Sequence, residues 1–580
     1  MVFYKNLYLL GALLPFAAQA KDNCPLLGAE FPAPKNLSSS PSFQAAIANL
    51  TQLLSQAQTS GNTSYGPFDA VNTSYSVGFF SIHESQPLFI NHYGAPSLAK
   101  NKYGVKTVDS NSVYRIGSVS KLMTAYTALI ACGLDILNQP ITDFIPELEQ
   151  AAQTQDAASN SIDFPSWDEI TLGDIASHQA GIGRDFAAFG ELGGLLRPLA
   201  TPSSSLGLPP LDSSETAICG GGAFCTRAQF FEGFTKRHPV YAPGTGVIYS
   251  NVAFQLFAYA VENATGKAFP DLIKEKLFEP LELANSSWEV PKFNSSGVII
   301  DPMVWNLDFG AEIAAGGMFS TLNDLLTVSR SMLSSKFLTP AQTRKWMKPR
   351  AFTSTPDYAM GAPWEIRRIY AAPNNRPIEV YTKTGNVPGY DSLLVLVPSL
   401  DVGFTVMTAG VNTPSNVVML SNLLTDTLVQ ASVVASREEA AATYAGTYTS
   451  SDSTLNSSIV LSMNDTKPGL GVSSWISNST NMLIRSTFAP GPSVRLYPTG
   501  LKNKVEGCGD TDVGFRAVYE NLATEDVGGP FTTACMTWAV VDAVYWGTVA
   551  SDEFVIRVGE DGKAKSVSPR ALRVELQRGS

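Results

Sequence analysis

A serine hydroxyl becomes a nucleophile only beside a proton acceptor and an electrostatic trap for the oxyanion it creates. Ser118, in Ser118-Val119-Ser120-Lys121, meets the first condition by spacing. A lysine three residues beyond a serine at a helix start lies on the same face, and the helix N-terminus favours negative charge developing near Ser118. Alone the tetrapeptide reads equally well as a helix start with a solvated lysine. Its surroundings argue otherwise. Leu122, Met123, Tyr126, Leu129 and Ile130 form an apolar stripe in a helix predicted from Ser118 to Leu134. An ammonium desolvated there loses proton affinity and becomes usable as a base.

Two further triplets carry functional groups. Tyr249-Ser250-Asn251 follows Pro243-Gly244 and precedes a helical stripe of Val252, Leu256, Tyr259 and Ala260, and Lys383-Thr384-Gly385 sits just before a strand beginning at Ser392. Singly, these read as a core tyrosine, a helix cap and a turn. In the order Ser-x-x-Lys, Tyr-x-Asn, Lys-Thr-Gly they resemble the serine β-lactamase-like and penicillin-binding-protein superfamily, which holds class C β-lactamases, D,D-peptidases and esterases. Arg115-Ile116-Gly117, Ile170-Thr171-Leu172 through His178-Gln179-Ala180-Gly181, and Ala315-Gly316-Gly317-Met318-Phe319-Ser320-Thr321 are similar to signatures of that superfamily. The similarity covers roughly residues 70 to 432. The tail from Tyr444-Ala445-Gly446-Thr447-Tyr448 resembles the lipocalin-like domain attached to several members, and the layout from Cys24-Pro25-Leu26-Leu27 onward resembles secreted fungal β-lactamase-like proteins.

The resemblance implies that Ser118 attacks a carbonyl carbon while Lys121 and Tyr249 share the task of taking its proton, with the choice between them open. Ammonium groups beside a phenol stabilise its phenolate, and Lys383 could supply one. It further implies an oxyanion hole from the backbone amides of Ser118 and Asn386, a substrate amide held by Asn251, and a substrate carboxylate bound by Lys383 and Thr384 of the Lys383-Thr384-Gly385 strand. His178 is left outside the site as a structural residue. With no Gly-x-Ser-x-Gly elbow, an α/β-hydrolase triad is disfavoured. The expected activity is cleavage or transfer of an ester or amide acyl group of a small molecule through an acyl-enzyme, without a cofactor. The alternative is a catalytically inactive ligand-binding or scaffold protein on the same fold.

The elements that position these residues follow from the wider sequence. A chain of 580 residues exceeds one ordinary core, and 44% hydrophobic with 16% charged residues fits a folded protein. A net charge of -11 argues against a nucleic-acid partner. Lys5, an apolar run from Leu7 to Ala18 and Ala18-Gln19-Ala20 have the layout of a cleaved secretory signal, with no later segment expected to span a membrane. The fold class is α+β. Residues 1–20 are expected to be a signal and 21–66 an N-terminal arm, and the resemblance implies a β-lactamase/transpeptidase-like domain of antiparallel sheet, flanking helices and a helical subdomain over 67–435 and a C-terminal antiparallel, lipocalin-like β domain over 436–580. The segment from Arg184 to Ala228 is irregular and reads as a substrate-facing loop.

Six cysteines in an exported chain suggest three disulfides. Cys219 with Cys225 closes a small loop, Cys508 with Cys535 lies in one domain, and Cys24 with Cys132 remains. No Cys-x-x-Cys occurs and the four histidines are scattered, so no metal site is expected. Sequons stand at Asn36, Asn49, Asn62, Asn72, Asn263, Asn285, Asn294, Asn456, Asn464 and Asn478. Glycosylation there predicts that endoglycosidase treatment of the secreted protein raises its gel mobility; unchanged mobility refutes it.

Overall fold

The computed structural model describes residues 23–187, 203–210, 212, 219, 225–291, 296–372, 376–485, 493–522 and 535–579. The expected signal, most of the Arg184 to Ala228 loop and the Asn294 sequon therefore lie outside the described residues. Two units are present, one of residues 34–435 and one of residues 436–580 together with the chain start up to Ala33. The segment expected as a 21–66 arm is thus divided between them. Of the remaining sequon asparagines, Asn285 is half-buried and the others are exposed.

The 34–435 unit is built on an eight-stranded antiparallel sheet. Its strands are β1 (Thr73–Ser81), β2 (Phe89–Tyr93), β3 (Ala351–Phe352), β4 (Tyr358–Met360), β5 (Glu365–Ala371), β6 (Arg376–Val387), β7 (Tyr390–Val397) and β8 (Val402–Gly410). Their order is β2-β1-β8-β7-β6-β5-β4-β3. Every residue of β1 is buried. Side chains alternate across a strand, so Tyr75, Val77 and Phe79 enter one core with Phe43, Leu50 and Leu54 of helix α1 (Pro41–Ser60), while Phe80 enters another with Leu122 and Leu325. The other face carries the buried but small Ser74, Ser76 and Gly78 beside Phe80, so the strand is covered on both sides without being apolar throughout.

Helix α2 (Val119–Cys132) is buried from Val119 through Leu129 and runs through the second of these cores. Helices α3 (Val252–Thr265) and α4 (Leu322–Leu333) join it there. Lys383-Thr384-Gly385 lies within β6 and ahead of β7, the strand that holds Ser392. One helix, α5 (Thr413–Tyr444), is long and apolar enough to cross a membrane by length and composition, which corrects the expectation that no later segment qualifies. Its Val417, Leu420, Leu424 and Leu428 pack with Val395, Val397, Phe404 and Val406 of the sheet, which accounts for its apolarity.

In the second unit, eight antiparallel strands form a ring. Ser458–Ser462 pairs with both Gly446–Ser450 and Leu470–Ser477, closing it. The Asp561-Gly562 turn joins Glu553–Val558 to Ala564–Pro569. Three apolar stretches here are not continuous strands. Met482–Arg485 is a helical turn, the 540–549 region holds only two-residue strands at Tyr545–Trp546 and Val549–Ala550, and in Leu572 to Leu576 a 3-10 turn precedes the strand Leu576–Arg578. Val540, Tyr545 and Trp546 are exposed, so apolarity there does not report a core strand.

The disulfides are Cys219–Cys225, as expected, and Cys24–Cys535. The pairings Cys508 with Cys535 and Cys24 with Cys132 do not form; Cys132 and Cys508 are free thiols. The cause is the chain start. The backbone N–H of Cys24 and the Asn23 amide donate to the Glu520 carboxylate at 2.8 and 2.7 Å, which fixes Cys24 against the C-terminal strands. A separation of 511 residues concealed that proximity.

The turn before α2 meets β6 at backbone contact. Gly117 has φ +51°, and a methyl group on it would come within 2.5 Å of the Asn386 amide nitrogen. Gly117→Ala combines left-handed strain of about 1–2 kcal/mol with that clash. It is expected to lower the melting temperature of the 34–435 unit by several degrees in calorimetry; an unchanged transition would show that the turn yields freely.

Candidate active site

Ser118 is the N-cap residue of α2, where a serine hydroxyl ordinarily accepts a backbone N–H of the first turn. It makes no such bond. Its Oγ instead accepts from Lys121 Nζ at 3.0 Å and from Tyr249 Oη at 2.7 Å. Structural duty in this turn falls to Ser120, whose hydroxyl donates to the Gly117 carbonyl at 2.7 Å and accepts the Met318 N–H at 3.2 Å.

Lys121 is fully buried. Its ammonium gives one hydrogen bond to Ser118, one to Asn251 Oδ1 at 2.7 Å and one to the Ala315 carbonyl at 2.7 Å. All three donors are matched, which is what makes burial of the group tolerable. Burial still lowers its proton affinity, Tyr249 opposes that, and the Lys383 charge adds to it.

Tyr249 is placed by the segment from His178 to Arg184. The Ile248 N–H donates to the His178 carbonyl at 2.8 Å, and the Asn251 N–H donates to the Arg184 carbonyl at 2.8 Å. Ser250 donates from its backbone to His178 Nδ1 at 3.2 Å and from its hydroxyl to the Gly183 carbonyl at 2.8 Å. The His178 ring stacks on the Tyr249 ring with centroids 4.4 Å apart. Lys121 Nζ, Arg184 Cζ and Lys383 Nζ stand 5.0, 4.9 and 5.4 Å from the Tyr249 ring centroid. Burial raises the phenol pKa, but the ammonium groups of Lys121 and Lys383 and the bond to Ser118 pull it down to about 8. His178 is held well below its usual range by burial and then by Lys121, Lys383 and Arg184, so it is a neutral packing partner of Tyr249 near pH 7.

The structure brings Ser118, Lys121, Tyr249, Asn251 and Lys383 together. The Asn386 backbone reaches the site through its contact with Gly117, and a methyl on Gly385 would strike the Ile116 carbonyl at 2.0 Å. The Asn386 side chain faces Asp391, donating to Oδ1 at 2.9 Å. Two expected roles meet competition. Asn251 already donates its amide to Asp185 at 2.7 Å while its carbonyl takes Lys121. Lys383 and Thr384, expected to receive a substrate carboxylate, are bound to Glu365 instead, with Lys383 Nζ 2.6 Å from its Oε1.

Glu365, Asp185, Glu312 and the Ala315 carbonyl are the functional groups that sequence reasoning missed. Glu312 is a buried acid raised to about 8 by burial and by Asp185, against the pull of Lys121. Ala315 and Asp185 lay in stretches already singled out, but not as members of the site. Isolated acids with no fixed spacing to Ser118 carry no sequence signal.

The arrangement can deprotonate a serine hydroxyl through a phenol of lowered pKa and hold the cations that keep it so. The family profile described as Beta-lactamase matches residues 75–426, and one described as Beta-lactamase-like-like, C-terminal domain matches residues 436–580. The chain is 31% identical to a beta-lactamase-like protein of Arthroderma benhamiae, over 97% of this chain and 98% of the relative. It is 27% identical to a probable hydrolase of Phoma sp. over 72% and 69% of the two chains. A D-alanyl-D-alanine-carboxypeptidase/endopeptidase of Escherichia coli is 25% identical over 51% of this chain and 71% of its own.

A base with pKa about 8 is competent when deprotonated, so kcat/KM for a neutral ester is expected to rise with pH and level above about 8. Tyr249→Phe is expected to cost at least about 10²-fold and to abolish that limb. Persistence of the limb in the variant would assign it to Lys121.

Proposed function

Since the chain belongs to the β-lactamase family of hydrolases, and carries the C-terminal domain of β-lactamase-like proteins, we propose that it is a secreted serine hydrolase that cleaves or transfers an ester or amide acyl group of a small molecule through an acyl-enzyme on Ser118. The observation that carries this reading is the Ser118 hydroxyl itself. It forgoes the cap bond and sits between Lys121 Nζ and Tyr249 Oη. A ligand-binding protein has no use for a serine so placed.

In this reading the Tyr249 phenolate takes the Ser118 proton as Oγ forms a bond to the carbonyl carbon. The oxyanion is received by the backbone amides of Ser118 and Asn386. Tyr249 then returns the proton to the departing alkoxide or amine as that bond breaks. Water or an alcohol, deprotonated by Tyr249, attacks the acyl carbon, and Ser118 leaves with the proton restored. Lys121 keeps its charge and its three bonds throughout and holds the phenolate in the ionised form. Secretion is supported by the leader layout and by two disulfides, which persist in oxidising compartments.

The test is intact-protein and peptide mass spectrometry after treatment with a fluorophosphonate. A single adduct on Ser118, absent in Ser118→Ala together with all ester turnover, is expected. No adduct with fluorophosphonate or any other acylating probe would leave the family fold as a binding protein.

A further inference from the structure

Three donors converge beside Tyr249 on strand β6: the Lys383 ammonium, the Thr384 backbone N–H and the Thr384 hydroxyl. Donors so arranged make a ready receptor for a carboxylate. In this chain they already hold one. Glu365 Oε1 accepts from Lys383 Nζ at 2.6 Å and from Thr384 Oγ1 at 2.9 Å, and Glu365 Oε2 accepts the Thr384 N–H at 2.8 Å. A second Lys383 donor goes to the Thr384 carbonyl at 2.9 Å.

The carboxylate is not a loose surface group that a ligand would push aside. Glu365 opens β5 opposite Thr382 in the β5–β6 ladder, and its carbonyl accepts the Thr382 hydroxyl at 2.6 Å. Its side chain is 7% exposed and that of Lys383 is 0% exposed. Turning Glu365 outward would strand a buried ammonium without its counter-charge, which is costly.

The other cations around Tyr249 also have partners, Lys121 fully buried and Arg184 with a side chain 63% exposed. Lys121 has spent its donors on Ser118, Asn251 and Ala315. Arg184 pairs with Asp185 at 3.3 Å, and Asp185 also takes the Asn251 amide. An anionic substrate group arriving beside Ser118 would therefore find Lys121, Lys383 and Thr384 already bound to acceptors of the protein and would face the like charges of Glu365 and Asp185. Repulsion of an unwanted charge is as effective a source of selectivity as attraction of the wanted group.

We propose that Glu365 is a specificity-determining residue, a built-in carboxylate filling the anion-recognition position, so that the site selects acyl substrates that are uncharged beside the reacting carbonyl, neutral esters foremost, over carboxylate-bearing ones. This rests on the serine-hydrolase reading of the same site. It gives Lys383 a single duty, that of a fixed positive charge beside Tyr249, and takes substrate anchoring away from it.

The experiment compares two esters that differ in one charge, 3-acetoxybenzoate and its methyl ester, each rate divided by its hydroxide-catalysed rate. The wild-type protein is expected to favour the methyl ester by at least about tenfold in kcat/KM. Glu365→Gln keeps an acceptor for Lys383 and Thr384 and removes the charge, and is expected to shrink that preference at least about fivefold. A wild-type ratio near one, or one favouring the carboxylate, overturns the proposal whether or not the variant folds. An unchanged ratio in a variant that melts cooperatively and labels at Ser118 overturns the assignment to Glu365. If the wild-type protein takes no fluorophosphonate on Ser118, the hydrolase reading fails and the proposal falls with it; a labelled protein with the wrong ester ratio loses the proposal alone.

Discussion

The site depends on keeping one ammonium, that of Lys121, out of water. Removing a charged group from solvent costs several kcal/mol unless its hydrogen bonds are replaced. Here the replacements come from three separate segments: Ser118 at the start of α2, Asn251 ahead of α3, and the Ala315 carbonyl. None of these is adjacent in sequence to another. The same three bonds that make the burial tolerable therefore lock the nucleophile, the Tyr249 segment and the 313–316 turn into one geometry. Burying a cation specifies the site as much as it activates it.

Tyr249 lies between opposing influences of that burial. Removal from water would raise its pKa, and fixed positive charge brings it down. The balance needs a cation that stays charged over the working range. For Lys383, burial works against the charge, but Glu365 and then Tyr249 more than offset it, so its pKa is raised. Lys121 moves the other way. Two lysines beside one phenol are thus shifted in opposite directions by their partners, Lys383 up and Lys121 down. His178 gains no charge from this field because the same cations suppress its protonation, and it can pack flat on the ring.

Sequence spacing made the neighbours Ser118, Lys121 and Tyr249 and the apolar helix beside them legible, because helical periodicity and short motifs are local properties. The β1–β2 and β7–β8 strand pairs are likewise local, each joined by a short connection. The extent of the strand that carries Lys383-Thr384-Gly385 was not legible, since Arg376 to Val387 mixes charged and apolar residues and only the sheet supplies its register. Glu365 was invisible because its meaning comes from the strand beside it, not from its neighbours in the chain. The cysteine pairing failed where local spacing was used as a guide to a contact spanning nearly the whole chain, and succeeded for Cys219 and Cys225, six residues apart.

The groups named around Ser118 all belong to residues 34–435, yet they are drawn from α2, the segment before α3, the 313–316 turn and strands β5 and β6. The point at which sheet and helix meet is Gly117 against Gly385 and Asn386, where any side chain would hold the two backbones apart. In the proposed reaction that contact brings the backbone of Asn386 beside that of the residue preceding Ser118. An oxyanion hole assembled from two elements needs no polar side chain, only the absence of two β-carbons. The sequence motif preserves lysine and threonine for reasons of charge and hydrogen bonding, and glycine for reasons of approach. In this protein the first pair has been committed to an internal carboxylate while the third position keeps its steric role, so hydrolytic geometry can be retained while recognition of an anion is given up.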